Sequence, residues 1–342
     1  MMKAWIIDKI SDLTKENQPL TLVEISKPKP GEGDILIKIK ACGVCHTEID
    51  EIEGRTPPPE FPVVPGHQVV GVVEESKTKN GVIKAGDRVG VAWIFSACGT
   101  CEYCLSGQEN LCSEFMATGR DANGGYAEYM VVSEKYAYLI PDVFTDAEAA
   151  PLLCAGAVGY RSVVLCNLRN GQRIGLTGFG ASGHLVLKLL KYKYPDSEIF
   201  VFARNPNERK FALQLGAKWA GGTDEKPPQQ LDTIIDTTPV WKPVLSAMEF
   251  LKPGGRLVIN AIRKETIDQE YLLNLDYSRH LWMEKEVKSV ANVTGNDVSE
   301  FLRVAAEMPF KPDVEVYPFV KANEALLDIK NRKIRGAKVL VL

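Results

Sequence analysis

The chain has 342 residues, 45% hydrophobic and 25% charged, the balance of a globular protein long enough for two cores. A net charge of −3 and a pI near 6.0 leave no basic field for nucleic acid. No apolar run approaches the ~18–20 residues that span a bilayer, and the opening "MMKAWIIDKISDL" lacks the small-residue cleavage site of a secretory leader. A cytoplasmic protein without nucleic-acid or membrane partners is expected.

In chain order, the first ~150 residues read as short strands between Gly and Pro turns: "DILIKIKA" (34–41), "QVVGVVEE" (68–75) and "DRVGVAW" (87–93). From about residue 155 strands alternate with helices, which implies βαβ units and a parallel sheet. The strands are "QRIGLTG" (172–178), "EIFVFAR" (198–204), "LDTIIDTT" (231–238) and "GGRLVINAI"; the helices are 182–194, 206–217 and "PVLSAMEFL". The last fifty or so residues are mixed and end in the strand "AKVLVL". The order fits a β-rich domain (1–153 and 291–342) interrupted by a Rossmann-type, doubly wound parallel-sheet domain (154–290).

Three motifs carry chemistry. "CGVCHTEID" packs two cysteines, a histidine and two acids into nine residues, and spacing alone leaves a redox pair and a metal site both open. "ACGTCEYCLSGQENLC" sets Cys98, Cys101, Cys104 and Cys112 in a C-x₂-C-x₂-C-x₇-C comb within a lobe at about 95–113. Four thiolates suit a closed tetrahedral, structural zinc, and the x₃ spacing and proline of ferredoxin-type iron–sulfur runs are missing. "GLTGFGASGHLVLKLL" places Gly178, Gly180 and Gly183 as G-x-G-x-x-G between a strand and a helix, with Ala181 and Ser182 opening that helix. This is a turn that brings pyrophosphate to a helix N-terminus. After the next strand, where an NAD-binding fold places an acid for the ribose 2′-OH, stand Ala203 and Arg204, with no acid in "FVFARNP". Arg204 can pair with a 2′-phosphate, so NADP(H) is favoured over NAD(H).

With these motifs in place, the chain resembles the zinc-dependent alcohol dehydrogenases of the medium-chain dehydrogenase/reductase superfamily, closest to bacterial and yeast-like members. "KACGVCHTEID", "PVVPGHQVVGVV", the cysteine comb, "EAAPLLCAGAVGY" and the glycine turn carry the likeness, in matching order from residue 3 to the C-terminus. The resemblance implies a GroES-like catalytic domain around the Rossmann domain, a homodimer or homotetramer, and an active site in the cleft between domains. It implies a second, open zinc on Cys45, His67 and Cys154, with Cys42 a packed neighbour, hence two zinc ions per subunit. Zinc lowers the pKa of an alcohol, whose carbon then gives hydride to the nicotinamide. By the same resemblance Thr47 takes the alcohol proton, His46 contacts the cofactor's phosphates and Glu48 braces the zinc-binding histidine. Trp93 matches a pocket aromatic.

The chain also departs from the family. Gln68 replaces the Glu after the zinc histidine, which should acidify bound alcohol. Asp50 replaces a histidine that passes the proton to solvent, and could relay it only with a much lower pKa. A bulky Trp of ethanol-specific relatives is missing from "EIEGRTPPPEFP", so primary alcohols larger than ethanol are expected. An Arg that touches pyrophosphate in relatives aligns with Ala337, beside Lys338. The runs "NERK" (207–210) and "KETIDQE" (264–270) read as solvated charge, His184 as lining the cofactor cleft, His280 as surface or packing, and Cys166 as a small core residue. A polyol or secondary-alcohol dehydrogenase, or a non-catalytic NADPH-binding redox sensor, are the alternative readings. The intact Cys45, His67, Cys154 and Thr47 set argues against the sensor.

Overall fold

The computed structural model describes residues 1–79, 81–309, 311–331 and 336–342, and of Ala181 the backbone alone. The chain forms two compact units, Met1–Ala157 with Val293–Leu342, and Val158–Asn292.

In the first unit the strands are β1 (Met2–Ile6), β2 (Thr21–Ile25), β3 (Asp34–Val44), β4 (Val69–Ser76), β5 (Arg88–Val91), β6 (Ile94–Ser96), β7 (Met116–Ala117), β8 (Tyr129–Ser133) and β9 (Ala137–Leu139). The second unit contributes β10 (Arg173–Thr177), β11 (Glu198–Phe202), β12 (Trp219–Gly221), β13 (Leu231–Asp236), β14 (Leu251–Ile259) and β15 (Glu286–Ser289). The chain then returns to the first unit with β16 (Val314–Pro318) and β17 (Ala337–Val341).

The main sheet of the first unit runs β16-β17-β3-β4-β5-β9, and β8 also pairs with β3. Strand β3 is its centre because "ILIKIKACGV" alternates or doubles apolar residues that pack on Val69, Val73, Val89 and Leu340. The antiparallel register sets Cys42 opposite Val69 on one side and Leu340 on the other. It therefore brings Cys45, just past the end of β3, beside His67, just before β4. This unit holds both cysteine motifs.

The second unit is an all-parallel sheet in the order β12-β11-β10-β13-β14-β15. Its strands read as nearly unbroken apolar runs, "EIFVF" and "LDTIID", because both faces are covered. The chain moves outward from β10 in one direction through β11 and β12, then restarts on the other side at β13. That reversal is the switch point at which doubly wound folds bind dinucleotides. The fold class read from the sequence is the one observed.

Candidate metal centre and dinucleotide turn

The helix His46–Ile52 starts at Cys45, whose extended backbone (φ −136°, ψ 168°) makes it the N-cap. Glu48 closes the cap by accepting the Cys45 N–H at 2.8 Å through Oε2. Its other oxygen, Oε1, lies 2.8 Å from His67 Nδ1, with both side chains buried. One carboxylate thus fixes the helix start and the ring of His67 together. The opposite ring nitrogen, Nε2, is 3.2 Å from Cys154 Sγ, and a short 3₁₀ turn, Ala150–Leu153, delivers Cys154. One donor atom each from Cys45, His67 and Cys154 falls within 4.8 Å of the others.

The electrostatics match a cation site. Cys154, and then His67, draw the Cys45 thiol well below its ordinary range. Burial works against a charged His67, yet Glu48 and Cys45 outweigh it and raise its pKa well above the usual imidazole value. Two sulfurs and one imidazole, with a buried carboxylate behind the ring, suit an open zinc site. Thr47 Oγ1 is 3.5 Å from Cys45 Sγ, and the Trp93 ring meets His67 edge-on at 4.9 Å. Cys42 is fully buried, its sulfur pressed against the space where side chains on Gly66 and Gly125 would stand.

Asp50 is buried and accepts the Arg55 Nε–H at 2.6 Å. Arg55 also pairs with Glu53, which Lys330 holds at 2.6 and 2.8 Å. Gln68 is buried, and its side chain fills the volume that a Cβ on Gly43 would need. Lys338 donates to Tyr317 Oη at 2.8 Å and pairs with Glu315, so its ammonium is engaged within its own sheet. Glu51 escaped the sequence reading. It lies one turn beyond Glu48 on the same helix, both its oxygens are buried without a hydrogen-bond partner among the described residues, and burial, then Glu48, push its pKa well above the carboxylate range. The three-residue spacing of Glu48 and Glu51 in "TEIDE" is the signal for it.

In the cysteine comb, Cys98 Sγ lies 3.9 Å from Cys104 Sγ and 3.5 Å from Cys112 Sγ. Four sulfurs on a tetrahedron with ~2.3 Å metal bonds stand ~3.8 Å apart, so the comb fits zinc. The Thr100 and Cys101 N–H groups point at Cys98 and draw its thiol down to about 6, while burial raises Cys104 to about 12.

The glycine turn follows β10. Gly178 has φ +82°, and a Cβ on Gly183 would come within 2.8 Å of the Gly178 carbonyl. A Cβ on Gly180 would meet nothing within 4 Å. The turn therefore needs two glycines for its own packing, and the third leaves open space at the start of the helix Ala181–Lys193, as a pyrophosphate cradle requires. Ser182 is half-buried in the first turn, and His184 is buried with Nδ1 3.2 Å from the Gly180 carbonyl. The side chain of Ala181 lies outside the described residues.

Ala203 is buried and Arg204 exposed. Two readings of solvated charge are corrected in this unit. Within "NERK", Arg209 Nη1 donates to the carbonyls of Ala203 and Arg204 at 2.9 and 3.1 Å. Within "KETIDQE", Lys264 is nearly buried against Asp236, and Asp268 accepts the Trp241 and Lys242 N–H groups that open the helix Lys242–Phe250. Tertiary partners absorb charges that a linear run cannot reveal. His280 and Cys166 are buried, as packing residues.

The alcohol dehydrogenase GroES-like domain family matches residues 31–142. The chain is 39% identical to the "Probable alcohol dehydrogenase AdhA" of Mycobacterium tuberculosis, over 100% of this chain and 97% of that relative. It is 33% identical to an alcohol dehydrogenase of Geobacillus stearothermophilus, over 99% of each. A cinnamyl alcohol dehydrogenase from Sorghum bicolor superposes with a TM-score of 0.85 at 28% identity, covering 99% of this chain and 97% of that one. No helix among the described residues is long and apolar enough to cross a membrane. With identity of this level along its whole length, the chain belongs to the zinc-type medium-chain alcohol dehydrogenase family.

Proposed function

We propose that the protein is a zinc-dependent alcohol dehydrogenase, or aldehyde reductase, that moves hydride between a primary alcohol and a nicotinamide cofactor, with NADP(H) favoured over NAD(H). The observation that carries this reading is the Cys45–His67–Cys154 set with Glu48 behind His67. Three protein donors leave a fourth position for substrate, whereas the cysteine comb is closed, giving two zinc ions per subunit. Bound there, zinc supplies Lewis-acid activation of the alcohol or aldehyde oxygen.

The chain's own residues supply the rest. The Thr47 hydroxyl, beside Cys45, accepts a hydrogen bond from the alcohol and passes its proton toward solvent by releasing its own, and Glu48 holds His67 in one tautomer and orientation. Trp93 walls the pocket, and the absence of a second Trp from residues 51–62 widens it for substrates beyond ethanol. Asp50, bound to Arg55, anchors the chain after the helix instead of carrying a proton. His46 offers an exposed imidazole to the cofactor's phosphates. The Gly178–Gly183 turn with Ala181 and Ser182 takes the pyrophosphate, and exposed Arg204, with no acid beside it, takes the 2′-phosphate.

The surface favours assembly with a second copy of the chain. Ile267, Leu273, Tyr277 and Trp282 are 77%, 89%, 64% and 54% exposed, and β15 is an exposed strand at the end of its sheet. Exposed apolar side chains and a terminal strand edge are the surfaces that a symmetric partner covers.

Initial rates of butanal and benzaldehyde reduction test the reading. Turnover with NADPH exceeding that with NADH is expected. Faster turnover with NADH would remove the Arg204 argument and keep the enzyme; no turnover of either aldehyde by zinc-replete protein would remove the enzyme.

A further inference from the structure

The unit Val158–Asn292 contains a buried ion pair that the metal chemistry does not use. Lys264 Nζ contacts Asp236 Oδ2 and donates to the carbonyls of Thr238 at 2.7 Å and Val240 at 3.2 Å. An ammonium has three N–H groups, so Lys264 has none left for a phosphate. The Asp236 side chain is 0% exposed and that of Lys264 9%. Asp236 Oδ1 also accepts the hydroxyls of Thr177 and, at 2.8 Å, Thr238.

These bonds join the glycine turn to the segment leaving β13. Thr177 immediately precedes Gly178, and Thr237 donates its N–H and hydroxyl to the Thr177 carbonyl at 2.9 and 3.0 Å. A Cβ on Gly178 would stand 2.7 Å from Thr237 Oγ1 and 3.1 Å from Thr238 Cγ2, so the segment that starts with these two residues forms a wall beside the turn. Glu265 N–H, next to Lys264, bonds the Pro239 carbonyl at 2.6 Å and holds the same wall. All of this lies at the carboxyl ends of β10 and β13, where strand order reverses and the two mononucleotide halves of a dinucleotide divide. Arg204, past the end of β11, marks the adenosine side; residues 237–240 stand on the other.

We infer that Lys264 and Asp236 are positioning residues for the nicotinamide half of the dinucleotide, holding residues 237–240 in one conformation. A buried ion pair contributes little stability that a well-packed apolar pair would not. What an apolar pair lacks is three directed bonds that tie a carboxylate at the strand end to two carbonyls of one loop. The inference rests on reading this unit as the dinucleotide site.

The test is equilibrium binding of NADPH, and separately of the adenosine fragment 2′,5′-ADP, to the zinc-loaded full chain and two variants. Lys264→Met leaves Asp236 stranded; Lys264→Met/Asp236→Asn removes that charge and keeps a side chain that Thr177 and Thr238 can bond. Losing two charge-assisted bonds to the loop should weaken NADPH at least about fivefold in both, with 2′,5′-ADP affinity and zinc content unchanged. Equal weakening of both ligands in the double variant would reveal general unfolding of the unit and overturn the inference, as would unchanged NADPH affinity. If the unaltered protein bound 2′,5′-ADP but not NADPH, the inference would fall while the adenosine half of the site stood. If it bound neither of these nor NADH, the dinucleotide reading itself would fall.

Discussion

Glu48 has two separable duties, and substituting it in two ways tells them apart. Its Oε2 caps the helix at the Cys45 N–H, 2.8 Å away, and its Oε1 faces His67 Nδ1 at 2.8 Å. Glu48→Gln keeps a carbonyl for the cap and removes the charge behind the histidine. Glu48→Ala removes both. Loss of the group that orients a metal-binding histidine lowers metal affinity about 10–100-fold, which at ~1.4 kcal/mol per decade is ~1.4–2.8 kcal/mol of zinc binding. Loss of a cap costs ~1 kcal/mol of folding stability. In addition, Ala opens a cavity in a fully buried position, for a further ~1–3 kcal/mol. The expected pattern is that Gln weakens zinc at the Cys45–His67–Cys154 site 10-fold or more while the apoprotein unfolds within about 1 kcal/mol of the unaltered chain. Ala should weaken zinc equally or more and unfold at least ~2 kcal/mol earlier. Zinc competition with a fluorescent chelator gives the first quantity and urea unfolding of the apoprotein the second. If Gln left zinc affinity unchanged and only Ala lowered it, Glu48 would be a cap and nothing more.

Other variants probe the remaining parts. Gly183→Ala should cost at least ~1 kcal/mol of stability, because its Cβ meets the Gly178 carbonyl at 2.8 Å, whereas Gly180→Ala should keep the unfolding midpoint and weaken NADPH, read by cofactor fluorescence; the reverse pattern would contradict the cradle. Asp50→Asn should lower stability by ~1–3 kcal/mol through loss of its buried bond to Arg55 and leave the pH dependence of kcat unmoved, while a displaced profile would restore Asp50 to the proton path. Gly43→Ala should destabilise by ~1–3 kcal/mol, since its Cβ would stand 2.5 Å from Gln68 Oε1; an unchanged thermal midpoint would show that Gln68 moves freely. Arg204→Ala should bring the NADPH and NADH affinities together, and an unaltered ratio would place the 2′-phosphate elsewhere.

Much of this architecture was legible because it lies in local pattern. Alternating and continuous apolar runs mark β3, β4, β10, β11, β13 and β14, while the three-residue β12 has no run to mark it, and the spacing of Cys98, Cys101, Cys104 and Cys112 marks the comb without any tertiary knowledge. The choice between Cys42 and Cys45 was not legible from spacing. Alternation along β3 directs Cys42 into the core, and only the register of β3 against β4 carries Cys45 to His67, 22 residues further on in the chain. The charged runs failed for the same reason. Lys264 and Asp268 look like solvent-facing residues until Asp236 and the helix start at Lys242 come up against them, and these are 28 and 26 residues distant. Asp50 drew attention by its place in the motif, while Arg55, the residue that occupies it, sits beyond the end of the helix in a stretch with no pattern of its own.

The proposed function stands on Cys45, and not Cys42, belonging to an open zinc site that performs the chemistry. The most direct test measures zinc per subunit and butanal reduction together in Cys45→Ser and Cys42→Ala. Cys45→Ser should drop from two zinc ions to one with loss of turnover, while Cys42→Ala should retain both ions and most of its activity. A Cys42→Ala protein that folds but has lost a zinc ion, or a Cys45→Ser protein that keeps two and still turns over, would contradict it.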